Sequence, residues 1–133
     1  MSRLIFVLGA VSVAVLLLAG CGTTTGGQTV KLTEADAGKR VELAPGDTLE
    51  IALEGNPSTG YNWEVESVDN AILKQVGEPQ FEADSSAVGS PGVITLAFQA
   101  LASGQTNLKL IYHRSFEPEV APLETYEVSV VVK

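Results

Sequence analysis

From Val30 onward, apolar and polar residues alternate along the chain with a period of two. The alternation is clearest in three runs, Val93–Phe98, Thr106–His113 and Thr125–Val132. In such a run every second side chain points to the same face, so that one face packs and the other meets water. The pattern therefore predicts half-buried β-strands rather than helices. Shorter runs of the same kind are Val41–Leu43, Thr48–Leu53, Trp63–Val68, Ile72–Val76 and Gln80–Ala83.

Turn residues separate the predicted strands. Pro45-Gly46-Asp47 lies between two early strands, and Ala102-Ser103-Gly104-Gln105 lies between two late ones. Thr33–Gly38 has room for one helical turn at most, because Gly38 ends it. The pattern predicts an all-β domain, an immunoglobulin-like antiparallel β-sandwich of about seven to eight strands. Five apolar side chains are predicted to lie between its two sheets: Leu96, Phe98, Leu110, Val128 and Val130.

The first 20 residues follow a different pattern. Arg3 precedes an apolar run from Leu4 to Leu18, and Leu18-Ala19-Gly20-Cys21 closes the segment. A basic residue, an apolar region and a small-residue end are typical of a secretory signal peptide, and the cysteine that follows resembles the bacterial lipobox. In that pattern Cys21 is acylated, as by palmitate, and becomes the first mature residue. The alternative is a transmembrane anchor, but the run is slightly short and lacks a basic stop-transfer cluster.

The sequence predicts three segments in total. Residues 1–20 form a lipoprotein signal peptide, residues 21–29 a flexible tether that is uncharged and nearly free of apolar side chains, and residues 30–133 the β-sandwich domain. The lipid on Cys21 would anchor the exported protein to the bacterial cell envelope. Gly22, rather than Asp, resembles the Gram-negative sorting pattern that leads to the outer membrane.

Composition narrows the possible functions. Cys21 is the only cysteine, so no intrachain disulfide can form. Without Arg3 the chain has 7 basic and 16 acidic residues, a net charge of −9, which argues against binding nucleic acid or an anionic membrane through charge. His113 is the only histidine, and no serine-nucleophile elbow or metal-ligand spacing accompanies it. We expect a monomer that is not an enzyme and that holds no metal and no cofactor.

Three loops between the predicted strands hold the remaining chemistry. Asn56-Pro57-Ser58-Thr59-Gly60-Tyr61 combines a rigid proline, two hydroxyls and a glycine, although an ordinary turn would use the same residues. Trp63 follows it and is expected to fix the base of the loop. Gly89-Ser90-Pro91-Gly92 forms a tight second loop, and Arg114-Ser115-Phe116 begins a long third one. In a sandwich such loops can gather at one end as a contact surface.

These elements, in this order, resemble the chagasin-type (I42) inhibitors of papain-family cysteine peptidases. Asn56–Tyr61 followed by Trp63 matches the family motif Asn-Pro-Thr-Thr-Gly-aromatic-x-Trp nearly residue for residue. Gly89–Gly92 stands where the family has a glycine-rich loop, and Arg114-Ser115-Phe116 stands where it has Arg-Pro-Trp. The resemblance extends from about Thr33 to Lys133. Serine in place of proline is expected to loosen the third loop, and phenylalanine lacks the indole donor.

The resemblance implies reversible inhibition by occlusion, without chemistry. Ser58 and Thr59 would lie nearest the catalytic Cys–His pair, while Pro57 keeps the backbone out of a cleavable pose. The second and third loops would hold the two walls of the cleft, with Arg114 pairing with acidic groups or stacking on an aromatic ring of the peptidase. The alternative is a non-inhibitory envelope lipoprotein that uses the same sandwich as a structural or adhesive module. A wedge of three loops would favour inhibition, and an exposed sheet edge would favour the alternative.

Overall fold

The computed structural model describes residues 27–133, so the predictions for the signal peptide and for Cys21 lie outside the described residues. Within this range the chain forms β-strands joined by short turns, with single 3₁₀ turns at Glu34–Asp36 and Pro57–Thr59. No helical segment between residues 27 and 133 is long and apolar enough to cross a membrane. The strands are β1 Thr29–Leu32, β2 Arg40–Leu43, β3 Thr48–Gly55, β4 Asn62–Ser67, β5 Leu73–Gln75, β6 Gln80–Ala83, β7 Gly92–Ala100, β8 Gly104–His113 and β9 Glu124–Val132.

The strands form two sheets, which confirms the predicted β-sandwich. One sheet has the order β1-β3-β7-β5, with β6 also paired to β7, and the other has the order β2-β9-β8-β4. The described residues contain nine strands rather than seven or eight. Both sheets are mixed rather than purely antiparallel, because β1 runs parallel to β3 and β2 runs parallel to β9.

The parallel edges follow from how the chain crosses between the sheets. The turn at Pro45–Asp47 connects β2 in one sheet with β3 in the other, so it does not form a hairpin. The turn after Ala100 likewise takes the chain from β7 to β8 in the opposite sheet. Strands that alternate between sheets meet partners distant in sequence, and these partners need not run antiparallel.

The hydrophobic core lies between the two sheets and contains all five residues predicted for it. Leu96, Phe98, Leu110 and Val130 have no exposed area, and Val128 is 1% exposed. Phe98 is among the largest of the fully buried side chains, and it pairs with Leu49 across β3 and β7. The inward faces of the strands were therefore predicted correctly from the alternation of apolar residues.

The chain enters the sandwich at the end where β3 begins. The Gln28 amide donates to Asp47 Oδ1 at 2.9 Å, and the Gln28 carbonyl accepts from the Thr48 amide at 2.8 Å. Ordered pairing thus begins two residues before Val30, where the sequence placed the start of the domain. Since Thr29 pairs with Thr48 while Gly55 closes the other end of β3, the chain enters opposite the loop that follows Gly55.

Candidate functional site

Three loops meet at the end of the sandwich opposite the point of chain entry. Loop 1 is Asn56–Tyr61, between β3 and β4; loop 2 is Asp84–Pro91, between β6 and β7; loop 3 is Arg114–Leu123, between β8 and β9. The strand register brings them together. Gly55 pairs with Gly92, which places loop 1 beside loop 2, and Asn62 pairs with His113, which places loop 1 beside loop 3.

Loop 1 is a closed turn held by its own hydrogen bonds. Asn56 Oδ1 accepts from the Ser58 amide at 3.2 Å and from its hydroxyl at 2.5 Å, while Thr59 Oγ1 donates to the Asn56 carbonyl at 2.6 Å. The Gly60 amide donates to the Pro57 carbonyl at 2.9 Å, and Gly60 has φ of +86°, a left-handed value that glycine adopts without steric cost. Ser58 and Thr59 are exposed at the tip. The loop therefore has a fixed shape before it meets any partner.

Aromatic side chains support the base of loop 1. Trp63 is 2% exposed, and its Nε1 donates to the Glu54 carbonyl at 2.9 Å. Its ring stacks on Tyr112 with 5.2 Å between centroids, and Tyr61 lies on Tyr112 at 5.4 Å. The Tyr112 hydroxyl accepts from the Asn56 amide at 2.8 Å, which ties the start of loop 1 to β8.

The alternation along Thr106–His113 places Tyr112 on the same face as Leu110, but it does not indicate the bond from Tyr112 to loop 1. Its place near the end of a strand was an available signal. A tyrosine there can bury its ring while its hydroxyl reaches a loop backbone.

Arg114 joins loop 3 to loop 1. Its Nε donates to the Thr59 carbonyl at 3.1 Å, and its guanidinium lies over the Tyr61 ring, 4.4 Å from the centroid. The centroid of the Phe116 ring lies 5.9 Å from the same guanidinium. Phe116 faces solvent and is 70% exposed. Arg114 also meets Glu117 at 3.6 Å. These contacts direct Arg114 inward, as a support for loop 1, and leave Phe116 available for contact.

A hydrogen bond to a backbone carbonyl joins loop 2 to loop 1. Asn56 Nδ2 donates to the Gly89 carbonyl at 3.0 Å, and Gly89 has φ of +76°. Ser90 Oγ donates to the Pro91 carbonyl at 2.9 Å, which keeps the loop compact. Val88, beside Gly89, is fully exposed.

Gly92 does not belong to the exposed surface that its sequence position suggested. It is buried at the start of β7, where a Cβ atom would lie 2.0 Å from the Glu82 carbonyl oxygen on β6. Glycine at this position allows the two strands to approach, so Gly92 is a packing residue of the sheet and not a contact residue.

Ser115 is held more firmly than its identity suggested. Its hydroxyl donates to the carboxylate of Glu64 on β4, and the other oxygen of Glu64 lies 2.7 Å from His113 Nε2. The bond from Ser115 above all, with that from His113, holds the pKa of Glu64 below its ordinary value despite partial burial. The bonds to the carboxylate therefore persist at neutral pH and are lost as pH falls through that lowered pKa.

The Glu64 cluster is not arranged as a catalytic triad. The hydroxyl of Ser115 meets the carboxylate rather than the imidazole of His113, so the histidine is not placed to remove its proton. Elsewhere in the described part of the chain, no three His, Cys, Asp or Glu side chains come together as a metal site. Sequence reasoning missed Glu64 because its partners lie some 50 positions away, at separations of 49 and 51 residues.

Comparison with known proteins agrees with this architecture. Residues 42–130 match the family described as chagasin family peptidase inhibitor I42. Amoebiasin-2 of Entamoeba histolytica is 33% identical over 103 residues, which cover 77% of this chain and 84% of that protein. Chagasin of Trypanosoma cruzi is 31% identical over 88 residues, which cover 63% of this chain and 80% of chagasin.

A solved structure has the same fold. The crystal structure of a cysteine protease inhibitor, EhICP2, from Entamoeba histolytica aligns with a TM-score of 0.68 at 26% identity, covering 80% of this chain and 96% of the other. The family match spans most of the sandwich, and the chain covers most of the length of its relatives. The chain therefore belongs to the chagasin family, whose members are peptidase inhibitors and not enzymes.

Proposed function

We propose that this protein reversibly inhibits papain-family cysteine peptidases by filling the active-site cleft with loops 1, 2 and 3. The observation that carries the proposal is the wedge that loops 1, 2 and 3 form at one end of the sandwich. Loop 1 lies between the other two loops and is bonded to both, through Asn56 to Gly89 and through Thr59 to Arg114. A cleft between two walls requires such a shape, with one central insert and two lateral contacts. The similar structure from Entamoeba histolytica is that of a cysteine protease inhibitor, which supports the same function here.

The proposed mechanism is occlusion by a backbone that cannot serve as a substrate. Peptidases cleave extended segments, whereas loop 1 is turned back on itself by bonds to the Asn56 and Pro57 carbonyls. Ser58 and Thr59 at its tip would cover the catalytic Cys–His pair. Phe116 and Val88 would supply apolar contacts to the two walls of the cleft. Because the loops are ordered beforehand, little conformational entropy remains to be lost on binding.

The alternative, a structural or adhesive module, would need a sheet edge that can accept a further strand. The edge strands β1, β2 and β6 have four residues each, and edge strand β5 has three. The four-residue strands carry charged side chains: Lys31 on β1, Arg40 and Glu42 on β2, and Glu82 on β6. Edge strand β4 has an irregularity between Val65 and Ser67. Short, charged and irregular edges disfavour strand addition, so contact through the loops is the better supported function.

Titration against papain tests the proposed function. We expect the chain from Gly22 to Lys133, at up to micromolar concentration, to abolish papain activity, and we expect activity to return on dilution. Trypsin is the control and should stay fully active, because the wedge fits a cleft shape rather than a substrate backbone. Full papain activity in the presence of the folded protein would disprove the proposal, as would cleavage within loop 1.

We also propose that the protein is a bacterial lipoprotein, anchored to the envelope through acyl chains on Cys21 and, in a Gram-negative source, to the outer membrane. The direction of β1 supports an orientation in which the three loops face away from the membrane. The chain enters the sandwich beside Thr48, while loop 1 begins after Gly55 at the far end of β3. Eight residues of strand span about 26 Å at about 3.3 Å each. The loops would therefore point away from the membrane and reach peptidases while the protein stays anchored.

Cys21→Ser should release the protein from membranes or stop processing of its signal peptide. The physical reason is that acyl chains would be the sole anchor, each buried methylene contributing about 0.8 kcal/mol. Membrane fractionation together with the mass of the mature chain measures both effects. Recovery of a mature-size Cys21→Ser protein in the membrane fraction would show that the anchor lies elsewhere.

A further inference from the structure

Glu64 connects loop 3 to the strand that carries loop 1. It lies on β4, three positions after Tyr61 ends loop 1, and its carboxylate binds the Ser115 hydroxyl with one oxygen and His113 Nε2 with the other. His113 is the last residue of β8, and Ser115 is the second residue of loop 3. One carboxylate thus binds the last residue of β8 and the second residue of loop 3, where the loop leaves the sheet.

We infer that Glu64 is a positioning residue for inhibition, which fixes the root of loop 3 so that Phe116 is held beside loop 1. This inference rests on the proposed function, since it assigns a role within the same three-loop surface. Glu64 does not itself need to touch the peptidase. It acts through Ser115, whose hydroxyl donates to the Glu64 carboxylate.

The bridge matters for two reasons. The carboxylate is charged, and the loop residues that it holds are exposed. Hydrogen bonds to an ionised carboxylate are stronger than those between neutral groups. Ser115 and Phe116 are both exposed, so packing does little to order this stretch. Its other supports are turn bonds, such as that from the Glu117 amide to the Arg114 carbonyl at 3.0 Å. Without the carboxylate, Ser115 would lose its partner, and loop 3 would have to be ordered when it binds.

The neighbouring charges on this face are occupied with other partners. Glu66 pairs with Lys109 at 2.9 Å, and Glu127 lies near the same lysine. Arg114 pairs with Glu117. Among the basic side chains of the described residues, only that of His113 lies within 4 Å of the Glu64 carboxylate, with 2.7 Å between Nε2 and Oε2. The lowered pKa of the Glu64 carboxyl agrees with a carboxylate that is stabilised by its hydrogen bonds.

Inhibition by five variants of the full-length protein tests the inference. Glu64→Ala and Ser115→Ala should each raise the inhibition constant for papain about 5- to 30-fold, mainly through faster dissociation. The double variant should be no weaker than Glu64→Ala, because both changes break one bridge. Glu66→Ala is the matched control on the same strand and should leave inhibition unchanged. Glu64→Gln keeps an acceptor for Ser115, so its inhibition constant should rise less than that of Glu64→Ala. An unchanged constant for Glu64→Ala, or additive losses in the double variant, would overturn the inference.

A measurement without any peptidase separates this inference from the proposed function. Amide hydrogen exchange of residues 114–120 in the free protein should accelerate in Glu64→Ala and Ser115→Ala but not in Glu66→Ala. Equal exchange in all variants would overturn the positioning role. If the unsubstituted protein fails to inhibit papain, the proposed function falls, and the exchange comparison still decides whether Glu64 holds loop 3. Should Glu64→Ala fail to fold, Ser115→Ala alone carries both measurements.

Discussion

Phe98→Ala is expected to lower the free energy of unfolding by about 3–5 kcal/mol, the largest stability effect that we predict for a single side chain. Phe98 has no exposed area and lies on β7, the strand that pairs with β3, β5 and β6. Truncation would leave a cavity at the centre of one sheet, where backbone pairing on both sides limits collapse. Urea unfolding followed by tryptophan fluorescence measures the loss, since Trp63 is the only tryptophan.

Phe81→Ala is the matched control for this prediction. Phe81 lies on β6 and is 43% exposed, so its truncation removes less buried area and leaves no enclosed cavity. We expect a loss of at most about 1 kcal/mol. A similarly small loss for Phe98→Ala would contradict the burial of that ring between the sheets.

Gly60→Ala is expected to weaken inhibition about 10-fold or more with a smaller effect on folding. Gly60 has φ of +86°, which costs an L-residue about 1–2 kcal/mol. A Cβ atom there would also lie 3.1 Å from two ring carbons of Phe116. Loop 1 would relieve both strains by moving relative to loop 3, and the wedge would lose its fixed shape. The inhibition constant for papain measures the effect.

Gly46→Ala separates the effect of loop shape from that of backbone strain. Gly46 has φ of +93° and lies before β3 at the opposite end of the sandwich, where an added Cβ atom would meet open space. It should show a similar loss of stability with unchanged inhibition. If both variants weaken inhibition equally, the loss comes from global destabilisation and loop 1 has no special role.

The alternation of residues was sufficient to predict the strands and the core. Side chains two positions apart share a face of any strand, so the pattern around Leu96, Phe98 and Leu110 specified inward faces without knowledge of the partner strands. The loop at Asn56–Tyr61 was also predictable, because proline, glycine and asparagine constrain the backbone locally. The hydrogen bonds inside loop 1 span two or three residues, which is within the range of local sequence patterns.

The tertiary structure alone decided which elements meet. Alternation specifies an apolar face but not a neighbour, so the sequence did not indicate that β1 and β2 pair in parallel or that the Pro45–Asp47 turn crosses between sheets. The close approach of β6 to Gly92 is set by strand pairing, and the bridge from Glu64 to Ser115 joins residues that are 51 positions apart in the chain. Such contacts depend on strand register, which is set by the packing of the whole core and not by the residues on either side of each contact.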